Sequence, residues 1–252
     1  MARKTVLLRI KRQAGPHEPS YYEDFEVPYI PQMNVVTCLM EIQRNPIKRN
    51  GEPTSAPSWE CSCLEEVCGV CTMVINGKVR QACSALVDEL EQPIILEPLS
   101  KFPIVKDLVV DRSKVFEDLK RVKAWIDIDG THALGAGPRY SQSLQELRYA
   151  LSRCIACGCC LEVCPQYDHT RKFVGPMIIS QVRLFNTHPT GKMNADERLE
   201  SLAGPGGITD CGNAQNCVRA CPKNIPLTES IADVGRQMAL YGLRKFFSLT
   251  KR

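Results

Sequence analysis

The cysteines constrain this chain more than any other feature. Fourteen of its 252 residues are cysteine, and most of them fall into three regularly spaced groups. The first group reads Cys63-x4-Cys68-x2-Cys71 and is followed by Cys83. The second reads Cys154-x2-Cys157-x2-Cys160-x3-Cys164-Pro165, and the third reads Cys211-x5-Cys217-x3-Cys221-Pro222. Cysteines crowded at fixed short spacings are typical of metal binding.

The spacings are those of iron–sulfur proteins. The first group has the plant-type [2Fe–2S] spacing, and the second has the bacterial ferredoxin run that ends in Cys-Pro. The third group is the same run with one cysteine missing, and counting back from Cys221 puts the missing position at Ala214. The sequence therefore predicts three redox centres of three kinds in one polypeptide.

The ligand sets follow from an exchange seen in two-cluster ferredoxins, where the last cysteine of each run binds the other run's cluster. The predicted [2Fe–2S] ligands are Cys63, Cys68, Cys71 and Cys83. The predicted [4Fe–4S] ligands are Cys154, Cys157, Cys160 and Cys221. The remaining site has Cys164, Cys211 and Cys217, with Ala214 in the fourth position. A methyl group cannot bind iron, so this site is predicted to hold a [3Fe–4S] cluster.

Three cysteines do not fit these spacings. Cys61 does not give the x4 gap, Cys159 interrupts the x2-x2-x3 rhythm, and Cys38 lies in an apolar helical stretch, where a free cysteine behaves as a small hydrophobe. We predict no ligand role for them. Zinc is the alternative metal, because paired Cys-x2-Cys motifs also build tetrahedral structural sites, and the chain would then be a zinc-stabilised interaction module. The Cys-Pro endings favour iron–sulfur clusters.

The charge and hydropathy of the chain narrow the class of protein further. The net charge is +4 and the basic residues are scattered, which argues against a nucleic-acid interface. The apolar runs are far shorter than the roughly 18 residues that span a bilayer, so we predict a soluble subunit. The N-terminus, MARKTVLLRIKR, has no apolar export segment, and thiols that stay in the cytosol stay reduced. Disulfides are therefore not predicted.

The pattern divides the chain near residue 106. Residues 1–106 predict strands at residues 5–11, 23–30 and 94–96, a helix at Val35–Arg44 capped by Asn34, and a hairpin of Thr72–Ile75 and Lys78–Gln81 around Asn76-Gly77. Strands around one helix, with a cysteine loop above, predict a β-grasp plant-type ferredoxin domain. Gly69, beside Cys68, is expected to let backbone N–H groups approach the cluster sulfides closely, because glycine adopts conformations that other residues avoid.

Residues 107–252 are predicted to be mainly helical. Helices are expected at residues 111–123, 143–153 and 176–186, at Ala195–Leu202, and from about Thr228 onward. Residues 130–138 are a loop by composition. Short Cys-rich units among helices predict a bacterial-ferredoxin-like domain that holds the [4Fe–4S] and [3Fe–4S] clusters. The fold class predicted for the whole chain is α+β.

Together the three groups resemble the iron–sulfur subunit of succinate dehydrogenase/fumarate reductase, the respiratory succinate:quinone oxidoreductases. The resemblance lies in CLEEVCGVCTMVINGKVRQAC, CIACGCCLEVCP, VRLFNTHPTG and CGNAQNCVRACPKNIPL, and it covers nearly the whole chain. The segments EEVCG and RLFNTHPTG are most similar to bacterial, menaquinone-linked members.

The resemblance implies an electron conduit within a larger complex. FAD and the dicarboxylate site would lie on a separate flavoprotein subunit, and this chain has no G-x-G-x-x-G fingerprint of its own. The [2Fe–2S] cluster would be nearest the flavoprotein, and the [3Fe–4S] cluster nearest a quinone beside a membrane-anchor cytochrome b subunit with haem b. The chain would be peripheral, on the cytoplasmic face of the bacterial membrane. No residue of this chain is expected to act as a catalytic acid, base or nucleophile.

One departure from the family pattern concerns the quinone. Ubiquinone-linked members usually carry a tryptophan shortly after the position of Pro165 and a histidine directly after that of Cys211. This chain has Gln166-Tyr167-Asp168-His169 and Gly212 there, which favours menaquinone. Pro165 and His169 are predicted to lie near the quinone, although a lone loop histidine is commonly a surface residue. Fumarate reduction, or service to another flavoprotein complex, remains an alternative function.

Overall fold

The computed structural model describes residues 5–127 and 139–249. The chain divides into two compact units, Met1–Arg112 with Ile155–Glu162, and Ser113–Cys154 with Val163–Arg252. The boundary predicted between residues 106 and 107 stays a prediction, and the loop predicted at residues 130–138 lies outside the described residues.

The longer helices agree closely with the predicted ones. The helices are α1 Val35–Arg44, α2 Ser113–Arg121, α3 Gln142–Ser152, α4 Cys159–Glu162, α5 Pro176–Thr187, α6 Ala195–Leu202, α7 Asn216–Ala220 and α8 Leu227–Leu249. The two short helices, α4 and α7, were not predicted, because four or five residues are too few to show a helical period. Both contain cysteines of the predicted cluster sites. Within the described ranges, no helix combines the length and the apolar character needed to cross a membrane.

The first unit is built on a five-stranded mixed sheet. Its strands are β1 Thr5–Arg12, β2 Tyr21–Pro28, β3 Thr72–Ile75, β4 Lys78–Gln81 and β5 Ile94–Glu97, in the order β2-β1-β5-β3-β4. The β1–β5 pair is parallel and the other pairs are antiparallel. The β3–β4 turn has left-handed backbone at Asn76 (φ 48°) and Gly77 (φ 75°), as an Asn-Gly hairpin requires.

The core of this unit lies between the sheet and α1. Alternate residues of β1, namely Val6, Leu8 and Ile10, are at most 1% exposed, and Leu39 on α1 is fully buried. Asn34 caps α1 by accepting a hydrogen bond from the Thr37 N–H at 2.9 Å. The β-grasp prediction for the first part of the chain is confirmed.

A small hairpin, β6 Ile104–Lys106 and β7 Val109–Val110, carries a buried carboxylate in its turn. Asp107 is 2% exposed, and its Oδ1 accepts hydrogen bonds from Arg12 Nε and from the Gln13 N–H, both at 3.0 Å. Its Oδ2 accepts from the Ser58 N–H at 2.8 Å. Asp107 therefore fixes the segment that leads into the first cysteine group, and it does so from a distant part of the sequence.

The second unit is helical, as predicted. Its central contact is between α5 and α8, where Val182 and Val234 are fully buried. Arg183 on α5 pairs with Asp233 on α8, with Nε and Oδ2 3.3 Å apart. Pro176 occupies the first turn of α5, where a missing N–H costs nothing.

We expect Asp107→Ala to lower the free energy of unfolding by about 3–5 kcal/mol, because a buried guanidinium loses a carboxylate partner and two buried N–H groups lose their acceptor. The matched control is Asp24→Ala, which breaks the Arg9–Asp24 pair, whose side chains are 47% and 40% exposed. Its expected cost is below about 1 kcal/mol. Anaerobic urea unfolding of the cluster-loaded protein, followed by circular dichroism, measures both. Equal losses would contradict the anchoring role of Asp107.

Candidate iron–sulfur sites

The loop after Cys61 turns its backbone N–H groups toward one sulfur. Leu64 (φ 63°), Glu66 (φ 58°) and Gly69 (φ 70°) have left-handed backbone conformations. The result is that the N–H groups of residues 65, 67 and 68 point at Cys63 Sγ, at 3.5, 3.3 and 3.3 Å. Backbone donors of this kind stabilise a thiolate and tune an iron–sulfur cluster.

The other three cysteines of the first group lie at the same place. The Glu66 N–H donates to Cys83 Sγ at 3.3 Å, and the Val70 N–H donates to Cys68 Sγ at 3.5 Å. Cys71 and Cys83 are buried, and their thiols are hydrogen-bonded to each other. The thiols of Cys63 and Cys68 are also hydrogen-bonded to each other. The structure therefore brings all four predicted ligands of the [2Fe–2S] site together.

The pKa values of two of these thiols are shifted in opposite directions. The backbone hydrogen bond from Glu65, followed by that from Val67, lowers the pKa of Cys63 to about 7. Burial, followed by the hydrogen bond to Cys71, raises the pKa of Cys83 to about 11. A thiolate is the form that binds a metal, so the exposed loop supplies the more readily ionised thiol. Burial at Cys83 has the opposite effect and keeps that thiol protonated until iron binds.

In the second unit, three cysteines line one cavity. Cys164, Cys211 and Cys217 are the predicted [3Fe–4S] ligands, and Ala214 lies in the same lining. Left-handed backbone at Asn213 (φ 52°) and Gln215 (φ 61°) coils the segment between the last two cysteines. Burial raises the pKa of Cys217, and the nearby Cys164 and Cys211 raise it further. Three thiols on this wall can therefore bind iron, whereas the methyl group of Ala214 cannot.

The four predicted [4Fe–4S] ligands are divided between the units. Cys157 and Cys160 belong to the first unit and are both 8% exposed, whereas Cys154 and Cys221 belong to the second. The Ile225 N–H donates to Cys221 Sγ at 3.5 Å. Their assignment to one cluster stays a prediction from the spacing.

Cys159 is placed differently from the other unassigned cysteines. Its thiol is hydrogen-bonded to the thiol of Cys157. This hydrogen bond is the main cause that lowers the pKa of Cys157 to about 7. The same hydrogen bond raises the pKa of Cys159 far above its usual range. Gln81, itself fully buried, donates to Cys159 Sγ at 3.4 Å and to the Thr72 hydroxyl at 3.1 Å. Sequence spacing gave no sign of these contacts. Of the other two, Cys38 is buried in α1 and Cys61 is exposed.

Of the two residues predicted to lie near a quinone, one lines a cavity and the other does not. Pro165 lines the cavity of the three cysteines, together with Gln166 and Gly212. His169 is 39% exposed, with Nδ1 3.5 Å from Asp168 Oδ1, and it is not among the residues that line this cavity. A Cβ on residue 212 would lie 2.8 Å from Gln166 Nε2, so Gln166 occupies the space that a side chain at position 212 would need.

The arrangement of the cysteine sulfurs differs from the arrangement of ligands around a single metal ion. Among the described residues, no three His, Cys, Asp or Glu side chains converge as the ligands of one ion do. Cluster ligands differ, because the thiolates are distributed over the several irons of an iron–sulfide core and do not converge on one ion. Four neighbouring sulfurs, three of which accept backbone N–H hydrogen bonds, and three sulfurs around a cavity fit iron–sulfur clusters.

Two family models match the chain in agreement with these sites. A 2Fe–2S iron–sulfur cluster binding domain matches residues 7–117, and a 4Fe–4S dicluster domain matches residues 150–225. The fold is also that of a chain in the Mycobacterium smegmatis Sdh1 complex, with a TM-score of 0.76 at 20% sequence identity, covering 94% of this chain and 97% of that one.

Curated relatives identify the family. The chain is 56% identical to the succinate dehydrogenase iron–sulfur subunit of Bacillus subtilis over 244 residues, 97% of this chain and 96% of the relative. It is 31% identical to the fumarate reductase iron–sulfur subunit of Haemophilus influenzae, covering 86% of this chain and 84% of that one. The predicted resemblance is confirmed, and the chain belongs to the family of iron–sulfur subunits of succinate dehydrogenase and fumarate reductase.

Proposed function

We propose that this chain is the electron-transfer subunit of a respiratory succinate:quinone oxidoreductase. It would carry electrons from FAD on a separate flavoprotein subunit, through three iron–sulfur clusters, to a membrane quinone. The observation that carries the proposal is the presence of two different thiol sites in one family member, one with four sulfurs and one with three around a cavity beside Ala214. The high identity to the Bacillus subtilis subunit favours succinate oxidation over fumarate reduction.

The first centre is the [2Fe–2S] cluster. Cys63, Cys68, Cys71 and Cys83 hold it, and the backbone N–H groups around Cys63 Sγ stabilise its negative charge. When bound, an iron–sulfur cluster accepts and releases one electron at a time. The protein sets the potential through hydrogen bonds, burial and charge, over a range of about −700 to +450 mV in known proteins.

The middle and terminal centres are the [4Fe–4S] and [3Fe–4S] clusters. The spacing assigns Cys154, Cys157, Cys160 and Cys221 to the middle centre. Cys164, Cys211 and Cys217 hold the terminal centre, and the methyl group of Ala214 on the cavity wall supports a cluster that lacks a fourth iron.

The quinone at the end of the chain is menaquinone. The support comes from the sequence, which has neither the tryptophan nor the histidine of ubiquinone-linked members, and from the cavity of the terminal centre, where a side chain at Gly212 would require Gln166 to move. Pro165 lies on the same wall, and His169 is the second residue proposed to lie near the quinone.

The partners are an FAD-containing flavoprotein subunit and a membrane-anchor cytochrome b subunit with haem b. The chain would lie on the cytoplasmic face of the membrane, held by the anchor. Exposed apolar side chains on α8, at Leu240, Leu243 and Phe247, line a groove of about 930 Å³ with residues that include Met193 and Leu199. A group of exposed apolar side chains that line one groove supports a subunit interface at this surface.

Electron paramagnetic resonance of the purified complex tests the three centres. We expect a [3Fe–4S] signal in the oxidised protein, a [2Fe–2S] signal after addition of succinate, and a [4Fe–4S] signal only with dithionite. Anaerobic purification excludes oxidative loss of iron from a fourth corner. A second [4Fe–4S] signal in place of the [3Fe–4S] signal would contradict the assignment at Ala214. Signals that succinate leaves unchanged would contradict the proposed substrate.

We expect Cys217→Ser to abolish the [3Fe–4S] signal and most of the quinone reduction, because a terminal ligand is lost. Succinate oxidation with an artificial acceptor that takes electrons from the flavin should survive. Cys61→Ser is the matched control, since Cys61 is exposed and assigned to no cluster, and it should keep both activities. Equal loss of both activities in Cys217→Ser would argue against this order of centres.

We expect Ala214→Cys to convert the terminal centre into a [4Fe–4S] cluster, because the new thiolate supplies the missing ligand at a position that lines the cavity. The [3Fe–4S] signal should disappear from the oxidised protein and a second [4Fe–4S] signal should appear on reduction. Ala214→Val adds volume without a ligand and should keep the [3Fe–4S] signal. Conversion in both variants, or in neither, would contradict the role of position 214.

A further inference from the structure

Arg112, two residues after the end of β7, holds the loop of the first centre by two hydrogen bonds. Its Nη1 donates to the Gly69 carbonyl at 3.0 Å and its Nη2 donates to the Val70 carbonyl at 3.1 Å. These two carbonyls lie between Cys68 and Cys71 in the sequence. The planar guanidinium therefore fixes the backbone between two ligands of the proposed [2Fe–2S] cluster.

The same stretch of backbone touches a ligand of the next centre. At Gly69, a Cβ would lie 2.7 Å from the Cβ of Cys157 and 2.9 Å from the Ile155 carbonyl oxygen. Real Cβ atoms do not approach so closely, and the left-handed φ of 70° also favours glycine here. The glycine therefore lets this backbone lie against Cys157, and the contact joins the ligand segments of two proposed clusters. The predicted approach of N–H groups to the cluster sulfides stays a prediction.

A further guanidinium N–H of Arg112, the one at Nε, has no hydrogen-bond partner within residues 5–127 and 139–249. This Nε atom is fully buried. Leaving a buried charged donor unpaired is costly, so a negatively charged acceptor fits this place. The charge of Arg112 also reaches Cys157, where it helps to hold the thiol pKa low after the larger effect of Cys159. Iron–sulfur clusters with thiolate ligands carry the negative charge that such a donor requires.

We propose that Arg112 is a positioning residue that joins the first two redox centres. It holds the Gly69 backbone against Cys157, and its charge favours the reduced form of the cluster that Cys157 binds. Reduction adds one electron, and hence one negative charge, to that cluster, while the guanidinium stays protonated throughout. The cation therefore stabilises the reduced form more than the oxidised form and raises the reduction potential. This inference rests on the proposed function.

A redox titration of the whole complex, followed by electron paramagnetic resonance, tests the role of Arg112. In Arg112→Gln and Arg112→Met we expect the ratio of reduced to oxidised [4Fe–4S] cluster at a fixed potential to fall about tenfold, which is about 59 mV for a one-electron couple. Arg112→Lys keeps the charge and should change the ratio by less than about twofold. The potential of the [3Fe–4S] cluster should stay constant in all three variants.

Arg121→Gln is the matched control, because Arg121 also donates to backbone carbonyls, those of Lys172, Ser201 and Pro205. It should leave the [4Fe–4S] potential unchanged. An unchanged potential in both neutral variants of Arg112, with the cluster present, would overturn the proposal. Loss of the [4Fe–4S] signal in all three Arg112 variants would also overturn it, since the residue would then be purely structural. A wild-type complex without a [4Fe–4S] signal would instead refute the proposed function.

Discussion

The first unit depends on three backbone N–H groups that converge on the sulfur of Cys63. A peptide loop offers such donors only when its backbone leaves the extended and helical regions, and Leu64 and Glu66 do so with positive φ angles. Each of these conformations costs free energy in the empty loop. The stabilisation of the thiolate, and of the cluster it binds, compensates that cost. The left-handed residues of the loop therefore serve to point backbone N–H groups at the sulfur of Cys63.

A loop of this kind needs rigid supports, because it has few hydrogen bonds of its own. Asp107 supplies one by holding the Ser58 N–H and the Arg12 guanidinium at the start of the loop. The β3–β4 hairpin supplies another, because it leads directly into the turn that carries Cys83. Glu162 at the end of α4 accepts hydrogen bonds from the N–H groups of Ser100 and Lys101. This capture explains why a short segment from the second cysteine run belongs to the first unit.

The sequence alone predicted the features that depend on residues close together along the chain. Asn76-Gly77 predicted the hairpin because only particular residues adopt its left-handed turn. The spacing of the Cys63 group predicted four neighbouring cysteines, because an iron–sulfide core fixes the spacing of its ligands, and the structure brings those cysteines together. Asp107 and Arg112 gave no signal, since their partners are far along the chain and a charged residue normally indicates solvent. Cys159 was set aside by its spacing alone, whereas the structure places its thiol on Cys157.

Burial and hydrogen bonding act on a cluster in opposite directions. Burial disfavours the extra negative charge of the reduced form, and donors or cations favour it. At Cys63 the sulfur is partly exposed and backbone N–H groups suffice. Cys157 is buried, and the thiol of Cys159 and the guanidinium of Arg112 are two of the groups that lower its pKa. Neither residue has a place in the cysteine spacing, and under our proposal they offset the effect of burial on the reduction of the cluster that Cys157 binds.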